Sequence, residues 1–172
     1  MIEIRRLNAA EGRQHLDALA DVLVDCVEGG ASVGFMLPFP KTDAAAFYRK
    51  VLNDVESGDR ILLAAFDEAK LVGSVQIVTA TPPNQPHRGD VVKLLVLRSA
   101  RRQGIAALLM ERVEQESVRA GKILLVLDTC AGTSAERLYL RLGWNRVGII
   151  PKYAFYPDGA WCDTTIFWKQ LG

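Results

Sequence analysis

The sequence predicts an α/β (α+β) fold, a mixed central β-sheet flanked by helices. Three observations carry that prediction. Apolar residues recur with period two at the N-terminus and at spacings of three and four directly after it, so strand gives way to helix. Glycines stand where helices should stop, at Gly29, Gly58, Gly121 and Gly143. The segments follow in the order β-α-α-β-β-β-α-β-α-β-β, with no internal repeat and no interdomain linker, so residues 1–172 are expected to form one domain.

Ile2 to Leu7 alternates apolar and polar residues, as a half-buried strand does. Leu16, Leu19, Ala20, Leu23, Val24 and Val27 then line one face of a helix that Gly29-Gly30 ends. Ala31 to Pro40 reads as a loop because of Gly34, Pro38 and Pro40, yet it is unusually apolar for one. Thr42 or Asp43 can cap a second helix with Phe47, Val51, Leu52 and Val55 on its buried face. Ile61–Phe66 and Leu71–Thr79 form a hairpin across a short polar turn, and a proline-rich loop follows. Asp90 to Leu97 reads as a largely buried strand, Arg98 to Gln103 as a polar turn, and a helix starts at about Gly104. A strand beginning at Ile123, a helix capped by Ser134 that runs through Leu142, and two late strands around Pro157-Asp158-Gly159 complete the chain.

Composition narrows the function. The chain carries 21 Lys and Arg against 20 Asp and Glu, a net charge of +1, so no overall basic field gathers nucleic acid or an anionic membrane. Cys26, Cys130 and Cys162 are odd in number and widely spaced, which argues against a disulfide framework and for a reducing compartment. His15 and His87 are the only histidines, too few for a His-based metal site or triad. Neither a signal peptide nor a membrane-spanning run is evident, so a cytoplasmic protein without metal is expected.

The most informative stretch runs from Leu94 to Ala106. A buried strand enters a basic turn, which opens a helix through small residues. The first N–H groups of a helix have no partner of their own and carry partial positive charge. Gly104 and Ala106 permit close approach to that backbone while Arg101 and Arg102 add charge, so the turn suits a pyrophosphate. It is neither a Walker A loop nor a Rossmann fingerprint.

With the later strand Leu124–Thr129 and the run Ala135-x-x-x-Tyr139-x-x-x-Gly143-Trp144, this R-x-x-G-x-A turn resembles the GNAT superfamily of acetyl-CoA-dependent N-acetyltransferases over essentially the whole chain. Four segments are closest to its tabtoxin-resistance acetyltransferase branch: Gly29 to Met36, Lys93-Leu94, Leu127-Asp128-Thr129 and Tyr156 to Gly159. The resemblance implies a GNAT-like fold and acetyl-CoA as co-substrate, with Leu94, Leu95 and Val96 along pantetheine. Arg101, Arg102, Gln103, Gly104, Ile105 and Ala106 would hold the phosphates. The sequence departs from the common pattern at Arg102, Ala106 and Gly132; the last implies one fewer side-chain contact to the cofactor. The loop with Ser32, Val33 and Phe35 would belong to the acceptor site.

Amine acetylation needs a neutral amine, a donor to the thioester carbonyl and a proton for the departing thiolate. Tyr139, at the family's A-x-x-x-Y position, would supply the proton, and a strand amide near Val96 would serve the carbonyl. Asp90 and Asp128 would lie beside the split between their strands, where either can bind the acceptor or take its proton. Cys130 has no nearby base, which favours direct transfer over an acyl-enzyme. The expected acceptor is the amine of a small amino-acid-like or toxin-like molecule. A peptide or protein amino-group acetyltransferase and a non-catalytic acyl-CoA sensor are the alternatives. The late hairpin, bearing Trp161 and Trp168, could pair two chains into a homodimer.

Overall fold

The computed structural model describes residues 1–172. Its first half contains β1 (Ile2–Leu7), α1 (Ala9–Gln14), α2 (Leu16–Glu28), α3 (Lys41–Ser57), β2 (Arg60–Asp67) and β3 (Lys70–Val78). Then come β4 (Arg88–Val96), a 3-10 turn Arg98–Ala100, α4 (Ile105–Arg119), β5 (Leu124–Cys130), α5 (Ser134–Arg141), β6 (Asn145–Phe155) and β7 (Trp161–Gln170). The fold is the mixed α/β architecture that the sequence predicts, with one addition. Helix α1 is six residues long, too short to display a period, and it is held by a capping box. Asn8 Oδ1 accepts from Glu11 N and Glu11 Oε2 accepts from Asn8 N, each at 2.9 Å. The caps also shift: Pro40 precedes α3 in place of Thr42 or Asp43, and Thr133, not Ser134, caps α5.

All seven strands join one sheet in the order β1-β2-β3-β4-β5-β7-β6. Each neighbouring pair is antiparallel except β4 with β5, the two strands that α4 connects. A core forms on each face. One gathers α4 and α5 through Leu109, Met110, Val113, Tyr139 and Trp144 against Val91, Leu125 and Phe167. The other gathers α2 and α3 through Leu19, Leu23, Tyr48 and Leu52 against Leu62, Ala64 and Leu95.

The parallel pairing is short. It runs through Arg88–Leu124, Gly89–Leu125 and Asp90–Val126 and then stops, although β4 continues to Val96 and β5 to Cys130. The cause lies in β4. Ser74 pairs with Leu95 but Gln76 pairs with Val92, so one extra residue of β4 is accommodated opposite Val75. Lys93 sits in this bulge with φ +56°, a left-handed conformation that a side chain other than glycine rarely adopts. The bulge bends β4 with β3 while β5 stays in register with β7 from Leu124 to Cys130, and a fork opens between them.

Gly73 allows the close β3–β4 approach at this bend, since a Cβ there would stand 2.8 Å from Leu95 O and 3.4 Å from Val96 Cγ2. Gly73→Ala is therefore expected to cost about 1–3 kcal/mol and to lower the thermal midpoint by roughly 3–10 °C. A calorimetric scan beside wild type checks this, and an unchanged midpoint would contradict the close approach.

Candidate active site

The fork presents backbone first. Leu97 N–H bonds to Val72 O at 2.9 Å, so Val72 and Leu97 form a hydrogen-bonded antiparallel pair. Alternation then places Val96, opposite Gly73, with its N–H and C=O turned away from β3 and toward the fork. Its carbonyl accepts from Arg101 Nε at 3.2 Å and from the Cys26 thiol at 3.5 Å, leaving the N–H as the donor on that wall. By the same alternation Leu94 faces the fork, whereas Leu95 turns its backbone to Ser74 of β3 and buries its side chain.

The turn that follows is shaped by two left-handed residues, Arg102 at φ +63° and Gly104 at φ +78°. Gly104 is the N-cap of α4, no side chain caps that helix, and its first turn holds no acid. An added Cβ at Gly104 would meet nothing within 4 Å. Arg101, Arg102, Gln103 and Gly104 are exposed, Ala106 is half-buried, and Ile105 alone turns into the core. Unpartnered helix amides, two arginines and an open backbone fit a pyrophosphate group.

Tyr139 lies on α5, near enough to Asp128 to feel its charge. Its ring is buried among Trp144 and Phe167, with centroids 6.0 and 5.8 Å away. The α5 start is pinned by Glu136, whose carboxylate accepts from Gly132 N at 2.5 Å and Thr165 Oγ1 at 2.9 Å. Sequence reasoning passed over this pair, because only the paired β5 and β7 bring residues so distant in the chain together. Burial, and then the negative charge of Asp128, push the Tyr139 phenol well above its usual range, so it stays protonated. Asp128 itself is exposed on β5, on the face opposite buried Leu127.

Lys93 was quoted in the sequence motif without a role, and the structure places it on the same sheet face as the loop 31–40. Its Nζ lies 5.8 Å from the ring centroids of both Phe35 and Phe47. Burial lowers its pKa; Asp128 opposes that shift, and the charge of Arg60 adds to it. Phe35 also packs on Phe39 and Phe47, at 4.5 and 5.2 Å between centroids, so the loop is an aromatic wall and not a mere connection. Val33 packs half-buried beside it, while Ser32 donates to Phe155 O at 2.7 Å and ties the loop to β6. Leu37 N–H bonds to Pro157 O at 3.0 Å and fastens the other end of the loop to the β6–β7 turn.

Two groups near the fork in sequence, the candidate Asp90 and the discounted Cys130, are already engaged. Asp90 stands at the last parallel pair, the closed end of the fork, and its carboxylate binds the Arg88 guanidinium. The Cys130 thiol accepts from Cys162 Sγ at 2.7 Å, and burial followed by that contact pushes its pKa up to about 11. It is a poor source of thiolate. The structure contains no group of three His, Cys, Asp or Glu side chains that could hold a metal ion, and no helix long and apolar enough to cross a membrane.

Residues 19–144, well over half of the chain, match the Acetyltransferase (GNAT) family. The chain belongs to that family. Solved structures share the fold at low identity. An N-acetyltransferase from Staphylococcus aureus Mu50 is 18% identical with a TM-score of 0.82, covering 100% of this chain and 99% of its own. The Salmonella typhimurium protein yncA, whose structure holds its cofactor acetyl-CoA, is 19% identical with a TM-score of 0.78, covering 99% of this chain and 94% of its own. A ribosomal-protein-alanine N-acetyltransferase from Brucella melitensis is 22% identical with a TM-score of 0.80, covering 98% of this chain and 99% of its own. GNAT acetyltransferases use acetyl-CoA, and the amides and arginines of the α4 turn fit its phosphates.

The buried phenol can be tested without any acceptor. In an alkaline ultraviolet titration, Tyr139→Phe should lose none of the tyrosinate signal that wild type develops up to about pH 11, because an ordinary tyrosine ionises near pH 10 and this one later. Loss of signal in that range would show an exposed phenol.

Proposed function

We propose that this GNAT protein moves the acetyl group of acetyl-CoA to the amine of a small amino-acid-like or toxin-like molecule by direct transfer, through one catalytic domain spanning residues 1–172. What supports the reading is the fork itself: the Val96 N–H faces it, Asp128 stands exposed on β5 beyond the last β4–β5 pair, and its charge reaches Tyr139 and Lys93, all directly before the turn suited to pyrophosphate. When bound, acetyl-CoA supplies the activated acetyl thioester. The α4 turn, from Arg101 to Ala106, would hold its phosphates, and Leu94 and Val96 would offer their outward backbone groups to the pantetheine arm.

Each residue then has a separate task. Asp128 holds the acceptor ammonium by a charge-assisted hydrogen bond and takes its proton, directly or through water. The Val96 N–H donates to the thioester carbonyl oxygen, a fixed donor that needs no rearrangement. Tyr139 gives its proton to the departing sulfur. Its raised pKa does not disqualify it, because burial penalises a thiolate in the same cleft as it penalises a phenolate. Asp90, engaged by Arg88 at the closed end of the fork, is a supporting acid for the acceptor and second to Asp128 as the base.

The tabtoxin-resistance resemblance, carried by the loop from Gly29 to Met36 and by Leu127-Asp128-Thr129, supports the small acceptor. The Brucella melitensis relative keeps a second reading open, acetylation of a peptide amino group, for which turnover would depend on the residues next to that group. A homodimer is part of the proposal: β6 is an edge strand, and Val147, Ile149, Ile150, Tyr153 and Phe155 on it are exposed, as are Trp161 and Trp168 on β7. We assign the protein to the cytoplasm on its free cysteines.

Thiol release from acetyl-CoA, measured against amino acids, dipeptides, polyamines, aminoglycosides and a β-lactam amino acid, tests the reading. Tyr139→Phe keeps the ring and its packing, so it should lower kcat about 100-fold or more while acetyl-CoA affinity stays within a factor of two or so. Weakened cofactor binding with unchanged kcat would remove Tyr139 from the chemistry. Cys130→Ala should retain most activity; a dead variant that still binds acetyl-CoA would instead support an acyl-enzyme. Arg102→Gln should weaken acetyl-CoA binding about tenfold at low salt and less at high salt, as loss of one exposed charge on the phosphate turn would.

A further inference from the structure

We infer that Lys93 reads a carboxylate on the acceptor, so that the true substrates are amines that also carry an acid group. The inference rests on the acetyltransferase reading above and deepens it by assigning the acid-recognising residue.

The argument begins with backbone. Lys93 occupies the bulge at φ +56°, and the bend of β4 aims its side chain along the sheet face that also carries the loop 31–40. Its ammonium stands over Phe35 and Phe47, and a Cβ added at Gly34 would come within 3.8 Å of it. The half-buried charge is therefore turned toward the aromatic wall. Such a cation needs acceptors, and it has none: Lys93 makes neither an ion pair nor a hydrogen bond with any protein group, and the two ring faces replace only part of its hydration. Lysines on this protein that serve structure behave otherwise. Lys122 gives its ammonium to Thr79 O at 3.0 Å and Pro86 O at 2.8 Å, and Lys169 gives its own to Glu114 at 2.5 Å and Leu142 O at 2.7 Å.

The surroundings of Lys93 on β3 and β2 are donors as well. Gln76, fully buried opposite Val92, accepts from Arg60 at 2.6 Å through Oε1 and leaves its Nε2 without a partner. Arg60 is itself held by Asp54. Arg60 is thereby neutralised and Gln76 sealed in, so Lys93 is the one unpaired cation on this side of the fork, while the β5 wall offers Asp128. Opposite charges on the two walls suit a molecule that is itself zwitterionic, with its ammonium toward Asp128 and its carboxylate toward Lys93. A polyamine or an aminoglycoside, with cations alone, would bring a second positive charge to Lys93 and no anion for it to bind.

The experiment compares matched pairs, each common L-amino acid against its own carboxamide, in the thiol-release assay with wild type, Lys93→Met and Lys93→Arg. Wild type should prefer the free acid in kcat/KM by about tenfold to a hundredfold, the loss expected when a charge-assisted hydrogen bond is removed. In Lys93→Met that preference should fall toward one, mainly through KM, and Lys93→Arg should restore part of it. The ratio of acid to amide is the decisive readout, because a lysine that merely supported the loop would affect both partners alike. A wild type that takes amides as readily as acids overturns the inference, as does an acid preference that survives in Lys93→Met. If neither member of any pair accelerates thiol release although acetyl-CoA binds, the amino-acid acceptor itself is wrong and the role of Lys93 falls with it. Acetyl-CoA affinity and the thermal midpoint of each variant confirm that it is folded.

Discussion

The parting of β4 from β5 is the constraint from which the rest of the site derives. A parallel pair normally uses its polar backbone groups along its whole length, and here it uses them for three residue pairs only. The remaining length of β4 keeps its partner β3 on one side and gains an unpaired edge on the other, inside the molecule. Unsatisfied backbone inside a fold is costly unless water or a ligand completes it. The open edge of β4 therefore leaves backbone donors and acceptors free to pair with another extended, amide-bearing chain.

The device that opens the fork also distributes its chemistry. One extra residue in β4 bends the strand, puts Lys93 into a left-handed conformation, and aims its side chain at the aromatic loop. Val96, beyond the bulge, has its N–H turned to the opening, and its carbonyl is tied back to Arg101 and Cys26. On the other wall β5 remains flat against β7, so Asp128 alternates outward from buried Leu127. Tyr139 enters from the opposite face of the sheet, with Glu136 and Thr165 fixing the helix that carries it. Two hydrophobic cores, one per face, thus hold the elements that carry the candidate residues on either side of the sheet.

Electrostatics within the fork are consistent with one another. Burial, and after it the charge of Asp128, keeps the Tyr139 phenol protonated, and the same carboxylate works against the desolvation of Lys93. Cys130, close in sequence to Asp128, is held in the opposite chemical state from a nucleophile by burial and by Cys162. Proximity in the chain and fitness for chemistry are separate matters here.

Periodicity and punctuation made most of the fold legible in the sequence: the strands, the four longer helices, their glycine stops, and the basic turn opening α4 follow from local physics that each segment carries by itself. Tyr139 and Asp128 could be singled out because their flanks match a known pattern. What remained hidden was relational. The six residues of α1 were too few to show a period. The bulge at Lys93 could not be read because an extra residue in a strand is defined only by its partner's register. The engagement of Asp90 by Arg88 and of Ser32 by Phe155 likewise depended on side-chain directions that the sequence leaves open. The sequence alone determined which elements form and which residues are chemically capable. The tertiary structure decided which of them flank the fork and which are engaged elsewhere, because strand pairing and its interruption are properties of several segments at once.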